Sequence, residues 1–216
     1  MAQLIHGVDA ERVRRNLSRV REEIAGTGRD PDTVELLAAV KYVPAEDIGA
    51  LAQAGVTVAG ENRAQDLEVK AAAHPELTWD FIGHLQSRKV RQVLPLVRWV
   101  HSVSSDSVLR ELERHGTPQT EVLIEVNVAG EENKSGVAPA QLDDVIARCP
   151  ARVVGLMTMP PLAGRPEDSR PWFAALAELA AERGLPQLSM GTSQDYVVAV
   201  EEGATIVRLG STLYRP

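Results

Sequence analysis

Seven side chains able to bind or react, Lys41, Asn62, His84, Asn127, Met157, Ser189 and Arg208, each stand at or just past the end of a short apolar run. Among them Lys41 carries the most reactive group, a primary amine. Residues 34–41, Val-Glu-Leu-Leu-Ala-Ala-Val-Lys, run seven strand-compatible residues straight into it, and Tyr42, Val43 and Pro44 then turn the chain. In an α/β protein the carboxyl end of a strand faces the ligand, so an amine there suits Schiff-base chemistry or pairing with an anion. The ordinary alternative is a solvated strand-end lysine. Two later segments bear on that choice: Ser189-Met190-Gly191-Thr192-Ser193, with two hydroxyls after a glycine, and Arg208-Leu209-Gly210-Ser211. Backbone N–H groups, hydroxyls and the positive end of a helix dipole together suit a phosphate. Either segment alone could be a helix cap at Ser193 or a turn at Gly210. On neighbouring strands the pair points to phosphate.

Positioning these groups requires a regular alternation of elements, and the sequence shows one. Strands are expected over residues 34–41, 56–59, 78–82, 98–103, 121–128, 152–157, 187–190 and 205–209. Before the first lies an amphipathic helix over 9–25, with Val13, Leu17, Val20 and Ile24 at helical spacing, Asp9 as its cap and Gly26 as its stop. Helices are expected over 44–54, closed by Gly55, and over 62–73, where Arg63, Gln65 and Asp66 dilute the apolar face. Others follow over 86–94, from a Ser104 cap to about Gly116, over 139–148, over 169–183, and from Ser193 to Gly203. Trp172, Phe173, Leu176 and Leu179 read as core. A polar loop over 129–136 carries Lys134, and a Pro- and Gly-containing loop over 160–166 could lie across the same end. Eight strands alternating with helices imply parallel pairing and right-handed crossovers, hence a single (β/α)8 TIM barrel over 1–216 with an extra N-terminal helix. An open doubly wound sheet is the alternative, but no Gly-rich dinucleotide fingerprint follows the first strand. Active sites of such barrels lie at the carboxyl ends of the strands, where the chemistry-bearing residues fall.

The 216 residues, 44% hydrophobic and 25% charged, suit one barrel. Thirty acidic against 23 basic residues leave a formal charge of −7, which argues against general nucleic-acid binding while allowing a local cationic pocket. The single cysteine, Cys149, excludes an internal disulfide and a cysteine-rich zinc site, and reads as a small core or helix-end residue. The start, Met-Ala-Gln-Leu-Ile-His-Gly, resembles no signal segment, and no run approaches the roughly 20 apolar residues of a membrane helix. A cytoplasmic monomer with no membrane partner is the expectation.

A phosphate cradle facing a strand-end lysine is what pyridoxal 5'-phosphate (PLP) requires: an amine to hold the aldehyde as an imine, and an anchor for the phosphate. If Arg208 faced the pyridine nitrogen, it would disfavour protonation there. It could instead contact the phosphate, and the sequence leaves both roles open. The segments Ala39-Val40-Lys41, Gly60-Glu61-Asn62, Phe81-Ile82-Gly83-His84-Leu85-Gln86, Lys134-Ser135-Gly136, Gly155-Leu156-Met157, Leu188-Ser189-Met190-Gly191-Thr192-Ser193 and Val207-Arg208-Leu209-Gly210 resemble the pyridoxal phosphate homeostasis protein family, also called the YggS or PROSC family. They match in order through nearly the whole chain.

The resemblance implies a fold-type III barrel like the amino-terminal domain of alanine racemase, with Lys41 as the imine lysine. It also implies phosphate contacts around Thr192, Ser193, Gly210 and Ser211, and Ser189 and Arg208 near the ring or phosphate. Asn62, His84 and Met157 would line the pocket in supporting roles, His84 as a hydrogen-bonding or packing residue in preference to the alternative of a catalytic base. The implied role is intracellular PLP homeostasis, with buffering of the cofactor or delivery to PLP-dependent apoenzymes. Two departures stand out: Thr192 occupies a position where the family often has methionine, and the end, Ser-Thr-Leu-Tyr-Arg-Pro, stops short of the expected glycine and basic tail.

A PLP-dependent amino-acid racemase is a competing reading. It needs two opposed acid/base groups, the second being, in alanine racemase-like proteins, a tyrosine of a partner subunit's added β domain. The sequence reaches Pro216 directly after the last strand, so that domain is expected to be missing. Of Tyr42, Tyr196 and Tyr214, Tyr42 is expected on the strand face opposite Lys41. A cofactor-free aldolase acting on a sugar phosphate would use the same lysine and phosphate loops, and a colourless protein that cleaves an aldol would identify it.

Overall fold

The computed structural model describes residues 4–132, 134–162 and 164–215; residues 1–3, position 133 of the 129–136 loop, position 163 of the 160–166 loop and residue 216 lie outside the described residues. Eight parallel strands close into a barrel in chain order: β1 (Glu35–Ala39), β2 (Val58–Glu61), β3 (Thr78–Phe81), β4 (Trp99–Val103), β5 (Glu121–Glu125), β6 (Arg152–Met157), β7 (Gln187–Thr192) and β8 (Ile206–Leu209). Closure is made by β1 against β8, with Leu37 opposite Arg208 and Ala38 opposite Leu209. Each strand is covered outside by helices and packed inside against the other strands, so its sequence is a nearly continuous apolar run rather than an alternating one.

The helices are α1 (Ala10–Gly26), α2 (Ile48–Gln53), α3 (Ala64–Ala73), α4 (Val90–Val93), α5 (Asp106–His115), α6 (Leu142–Arg148), α7 (Arg170–Glu182), α8 (Tyr196–Glu201) and α9 (Ser211–Tyr214). The Asp9 carboxylate caps α1 by accepting from the Arg12 N–H at 2.6 Å. Val13, Leu17, Val20 and Ile24 are buried along one face of α1. Asn16 adds a polar clasp: its Nδ2 donates to the carbonyls of Leu213 and Arg215, both at 3.0 Å, tying the end of the chain to α1. In α7, Phe173 and Leu176 are buried, and Trp172 and Leu179 half-buried. The main core lies between barrel and helices; a second, inside the barrel, is built from Leu37, Val58, Leu123, Val154, Met157 and Ile206. Beneath it, at the amino end of the strands, the Arg98 guanidinium bridges Glu35 and Asp80.

Several boundaries differ from those read in the sequence. β1 ends at Ala39; the Val40 N–H still bonds the Gly60 carbonyl at 3.0 Å, and Lys41 already belongs to the turn. The second strand starts at Val58 rather than 56 because Val56 belongs to the helix end before it. Gly55 sits at φ +95°, its N–H bonds the Ala52 carbonyl, and the Val56 N–H reaches the Leu51 carbonyl, a left-handed C-terminal cap. β5 stops at Glu125, with Val126 bridging to Val137, whereas β7 runs on to Thr192. Ser105, not Ser104, caps α5. Pro95 removes a donor, and the 86–94 segment breaks into α4 flanked by 3₁₀ turns at Ser87–Lys89 and Leu94–Leu96. Similar 3₁₀ turns, Ala45–Asp47, Pro139–Gln141 and Pro166–Ser169, open α2, α6 and α7. The short α9 was not expected. Cys149 follows α6 directly, and burial pushes its thiol pKa up. Among the described residues no helix is long and apolar enough to cross a membrane, and no cluster of three metal-ligating side chains occurs.

Candidate functional site

Lys41 owes its position to a buried ion pair that joins the ends of β1 and β2. On α3, Lys70 follows Ala64 and Leu67 on the buried face. Its Nζ donates to the Val40 carbonyl at 2.8 Å and to Glu61 Oε2 at 2.5 Å. Glu61 Oε1 in turn accepts from the N–H groups of Asn62 and Arg63, at 2.6 and 3.2 Å. One pair therefore holds the backbone beside both Lys41 and Asn62. Sequence reading missed it, although a lysine at i+3 from Leu67 on an apolar face was a usable signal. Because extended geometry stops before Lys41, Tyr42 does not lie on the far side of a strand. The Lys41 ammonium sits 4.7 Å from the centre of the Tyr42 ring, within cation–π range.

The carboxyl ends of β7 and β8 are locked together by one hydroxyl. Ser193 Oγ accepts from the Gly210 N–H at 3.1 Å and the Thr212 N–H at 3.2 Å. With both lone pairs engaged, its O–H proton is left to donate. Ser193 does not cap the helix that follows it: α8 begins at Tyr196, and Asp195 occupies the turn before it, accepting from the Thr192 N–H at 2.8 Å and the Thr192 hydroxyl at 3.1 Å. The Thr192 donors are thus spent within the protein. Gly191 is required here, since at φ +88° an added Cβ would lie 2.5 Å from the Ala199 Cβ. Because α8 has six residues and α9 four, the helix-dipole contribution expected of this end is small.

Nine candidate residues, Lys41, Asn62, His84, Met157, Thr192, Ser193, Arg208, Gly210 and Ser211, line one cavity of about 420 Å³ at the carboxyl end of the barrel. Such a volume suits a small cofactor. His84 stands exposed at its mouth, and Met157 is buried at its floor. Asn62 Oδ1 is buried on the wall without a hydrogen-bond partner, an acceptor that a ligand donor would satisfy. Lys134 and Ser135 reach the rim from the 129–136 loop. Asn127 does not face the cavity; it shapes that loop through bonds to the Glu131 N–H and carbonyl. Ser189 also lies outside the lining, wholly buried one layer deeper. A cavity of about 460 Å³ at the opposite end is lined by strand beginnings such as Glu35, Thr57 and Thr205, away from the lysine and the hydroxyl turns.

Two of the charged groups that line the cavity, Arg208 and Glu125, are buried. Arg208 is only 5% exposed. Its Nη1 donates to the Ser189 carbonyl and Oγ, both at 2.6 Å, and its Nη2 to the Thr158 carbonyl and Met159 Sδ, both at 2.8 Å. None of these partners is a carboxylate. Burial pushes its pKa down to about 10, opposed by the charges of Asp195 and Glu125, so it remains a cation at neutral pH. Glu125 was not expected: it lines the cavity, accepts from the Ser135 hydroxyl at 2.5 Å, and has its pKa pushed up by burial. An acidic residue inside the most strand-like run was the signal for it.

A closed eight-stranded barrel carrying a lysine after its first strand and hydroxyl-lined turns after its last two is an architecture of the alanine racemase amino-terminal class, and the family model described as "Alanine racemase, N-terminal domain" matches residues 8–216. Within that class the chain belongs to the pyridoxal phosphate homeostasis protein family. It is 41% identical to the pyridoxal phosphate homeostasis protein of Aquifex aeolicus, covering 94% of this chain and 96% of that protein. For the Pseudomonas aeruginosa protein of the same name the identity is 38%, over 95% of this chain and 94% of the relative. The solved structure of PipY from Synechococcus elongatus with PLP bound superposes with a TM-score of 0.77 at 30% identity, covering 94% of this chain and 100% of that one. Alanine racemase from Corynebacterium glutamicum shares the fold alone: TM-score 0.74, 18% identity, 99% of this chain and 63% of that one.

Proposed function

We propose that this chain holds PLP in the 420 Å³ cavity as a Schiff base on Lys41, buffering the cofactor in the cytoplasm and releasing it to PLP-dependent apoenzymes. The observation that carries the reading is one shared cavity: Lys41 after β1, the Gly210-Ser211 turn after the neighbouring β8, Ser193 after β7, and on β8 before that turn an arginine bonded only to neutral acceptors. The residues present fit the group. Lys41, once deprotonated, adds to the aldehyde carbon, and water leaves as the C=N bond forms. Ser193 donates its hydroxyl, and Ser211 receives the phosphate with it, the Gly210 N–H being already given to Ser193 Oγ. Asn62 Oδ1 takes a donor. Arg208 lies two residues, roughly 6.6 Å, before Gly210 along β8, a depth that supports a place at the ring nitrogen rather than at the phosphate. A guanidinium there keeps its proton and opposes protonation of the pyridine, so the bound ring is a weak electron sink. A weaker sink stabilises a carbanion at an amino acid less well, which favours holding PLP over bond cleavage.

The tyrosines support the same reading. Racemisation calls for acid/base groups on both faces of the substrate, but the Tyr196 hydroxyl bonds Glu23 and the Tyr214 hydroxyl bonds the Ala39 carbonyl at 3.2 Å, while Tyr42 lies beside Lys41. The test is the visible spectrum of the protein with PLP, followed by borohydride reduction and peptide mapping. A yellow species whose reduced adduct maps to Lys41, lost in Lys41→Ala, is the expected result, with no amino-acid racemisation by the loaded protein. An adduct scattered over surface lysines would overturn the assignment.

A further inference from the structure

The inside of a barrel of this kind is ordinarily filled by branched apolar side chains. Here a polar line crosses it. Asp80 on β3, His101 on β4 and Ser189 on β7 are all wholly buried. His101 Nε2 lies 3.2 Å from Asp80 Oδ2, and its Nδ1 lies 2.9 Å from Ser189 Oγ. Ser189 Oγ also accepts Nη1 of Arg208 at 2.6 Å. At the other end, Asp80 accepts from Arg98 Nε at 3.1 Å, Arg98 Nη2 at 2.5 Å and the Trp99 N–H at 3.2 Å.

One arrangement of protons satisfies every group in these contacts. Ser189 Oγ receives an N–H from Arg208, which has no acceptor to offer, so the serine proton points to His101 Nδ1. Nδ1 is then unprotonated, Nε2 carries the hydrogen, and that hydrogen goes to the Asp80 carboxylate. All donors run one way, from Arg208 to Asp80. A second proton on the ring would leave the Ser189 hydroxyl without an acceptor. Electrostatics agree: burial lowers the His101 pKa, the nearby charges of Arg208 and Arg98 add to this, and Asp80 opposes it. Asp80 is itself held below its ordinary value, because its bonds to His101 and Arg98 outweigh the cost of its burial.

We propose that Asp80, His101 and Ser189 form a one-directional hydrogen-bond relay that positions Arg208 at the base of the cofactor cavity and so sets the polarity of the site it presents to the PLP ring. The three are positioning residues, since none lines the cavity, and the proposal rests on the reading of the cavity as a PLP site. A buried polar chain gives less stability than packed apolar side chains would, and its return is fixed geometry. Removing Ser189 Oγ takes one acceptor from Nη1, leaves His101 Nδ1 unsatisfied and cuts Arg208 off from the relay, so the guanidinium is held only by the Ser189 and Thr158 carbonyls and Met159 Sδ.

Two experiments test the relay. In cofactor-free protein labelled at histidine nitrogen, long-range ¹H–¹⁵N correlation is expected to show His101 as the neutral Nε2–H tautomer from about pH 5.5 to 8.5, assigned by its loss in His101→Gln. An imidazolium or an Nδ1–H ring there would overturn the proposal whether or not PLP binds. In PLP titrations, Ser189→Ala and His101→Leu are expected to bind about tenfold more weakly with a displaced imine absorption maximum. His101→Gln, which keeps one donor and one acceptor, is expected to return both toward the parent values. An unmoved maximum in Ser189→Ala, the smallest change and the one that preserves packing, would also overturn it. If the parent forms no adduct at Lys41, the functional reading fails instead, and the tautomer still judges the relay.

Discussion

Glu125 shows how burial turns an ordinary carboxyl into a pH-sensitive group. Its raised pKa means that the folded protein binds this proton more tightly than the unfolded chain does. Its stabilising contribution is therefore fully present below the unfolded value, about 4.3, and is lost as pH rises through the higher folded value. Glu125→Gln removes that dependence. In paired thermal melts, the variant is expected to gain on the parent steadily as pH rises from about 4 to about 7, and a constant offset would count against a buried, proton-binding Glu125. Asp80 has the opposite sign, stabilising above its unfolded pKa and losing that contribution in acid. At this scale the sequence marked residue types well: Lys41, Ser193 and Arg208 all reached the cavity. It ranked Asn127 and Ser189 with them because a strand end says nothing of how deep a side chain lies or which backbone groups claim it.

At the level of elements, the site depends on where strands stop. The Glu61–Lys70 pair joins β1, β2 and α3 and is nearly inaccessible, the two side chains being 0% and 6% exposed. Lys70→Met strands the Glu61 carboxylate with only the N–H groups of Asn62 and Arg63, a loss expected to cost about 3–5 kcal/mol of stability in urea unfolding. The same variant releases the Val40 carbonyl, so weakened PLP binding through Lys41 is expected even below the unfolding transition. Helix 10–26 was legible nearly to the residue because Asp9, the Val13-to-Ile24 stripe and Gly26 all mark it. The 86–94 segment and the start of α8 were not. There Pro95, and the Asp195 side chain bonded back to Thr192, replace regular helix with tight turns whose bonds depend on local side-chain geometry.

For the molecule as a whole, a ligand that binds only the folded barrel adds to its stability by mass action. Saturation with PLP at a hundredfold excess over its dissociation constant corresponds to about 2.7 kcal/mol, seen as a raised melting temperature. Lys41→Ala is expected to lose most of that increment while keeping part of it through the phosphate turn and Arg208. An equal rise in both proteins would show that PLP is held without the lysine. The cavity at the amino end contains no comparable amine and hydroxyl pairing, and so is expected to contribute nothing to the shift.

The sequence by itself determined the barrel, its strand order and the family resemblance. Alternating apolar runs and helix signals are local, and eight parallel strands of this length have few other ways to bury both faces. It also marked most of the residues that gather at the carboxyl end, because they stand near or just past the ends of their own strands. Only the tertiary structure decided the pairings that cross the fold: Lys70 with Glu61, Ser193 with the Gly210 and Thr212 amides, and the line from Arg98 through Asp80, His101 and Ser189 to Arg208. His101 and Ser189 stand 88 residues apart in the chain. A hydrogen bond between them is fixed by barrel closure and strand register, neither of which any single segment encodes.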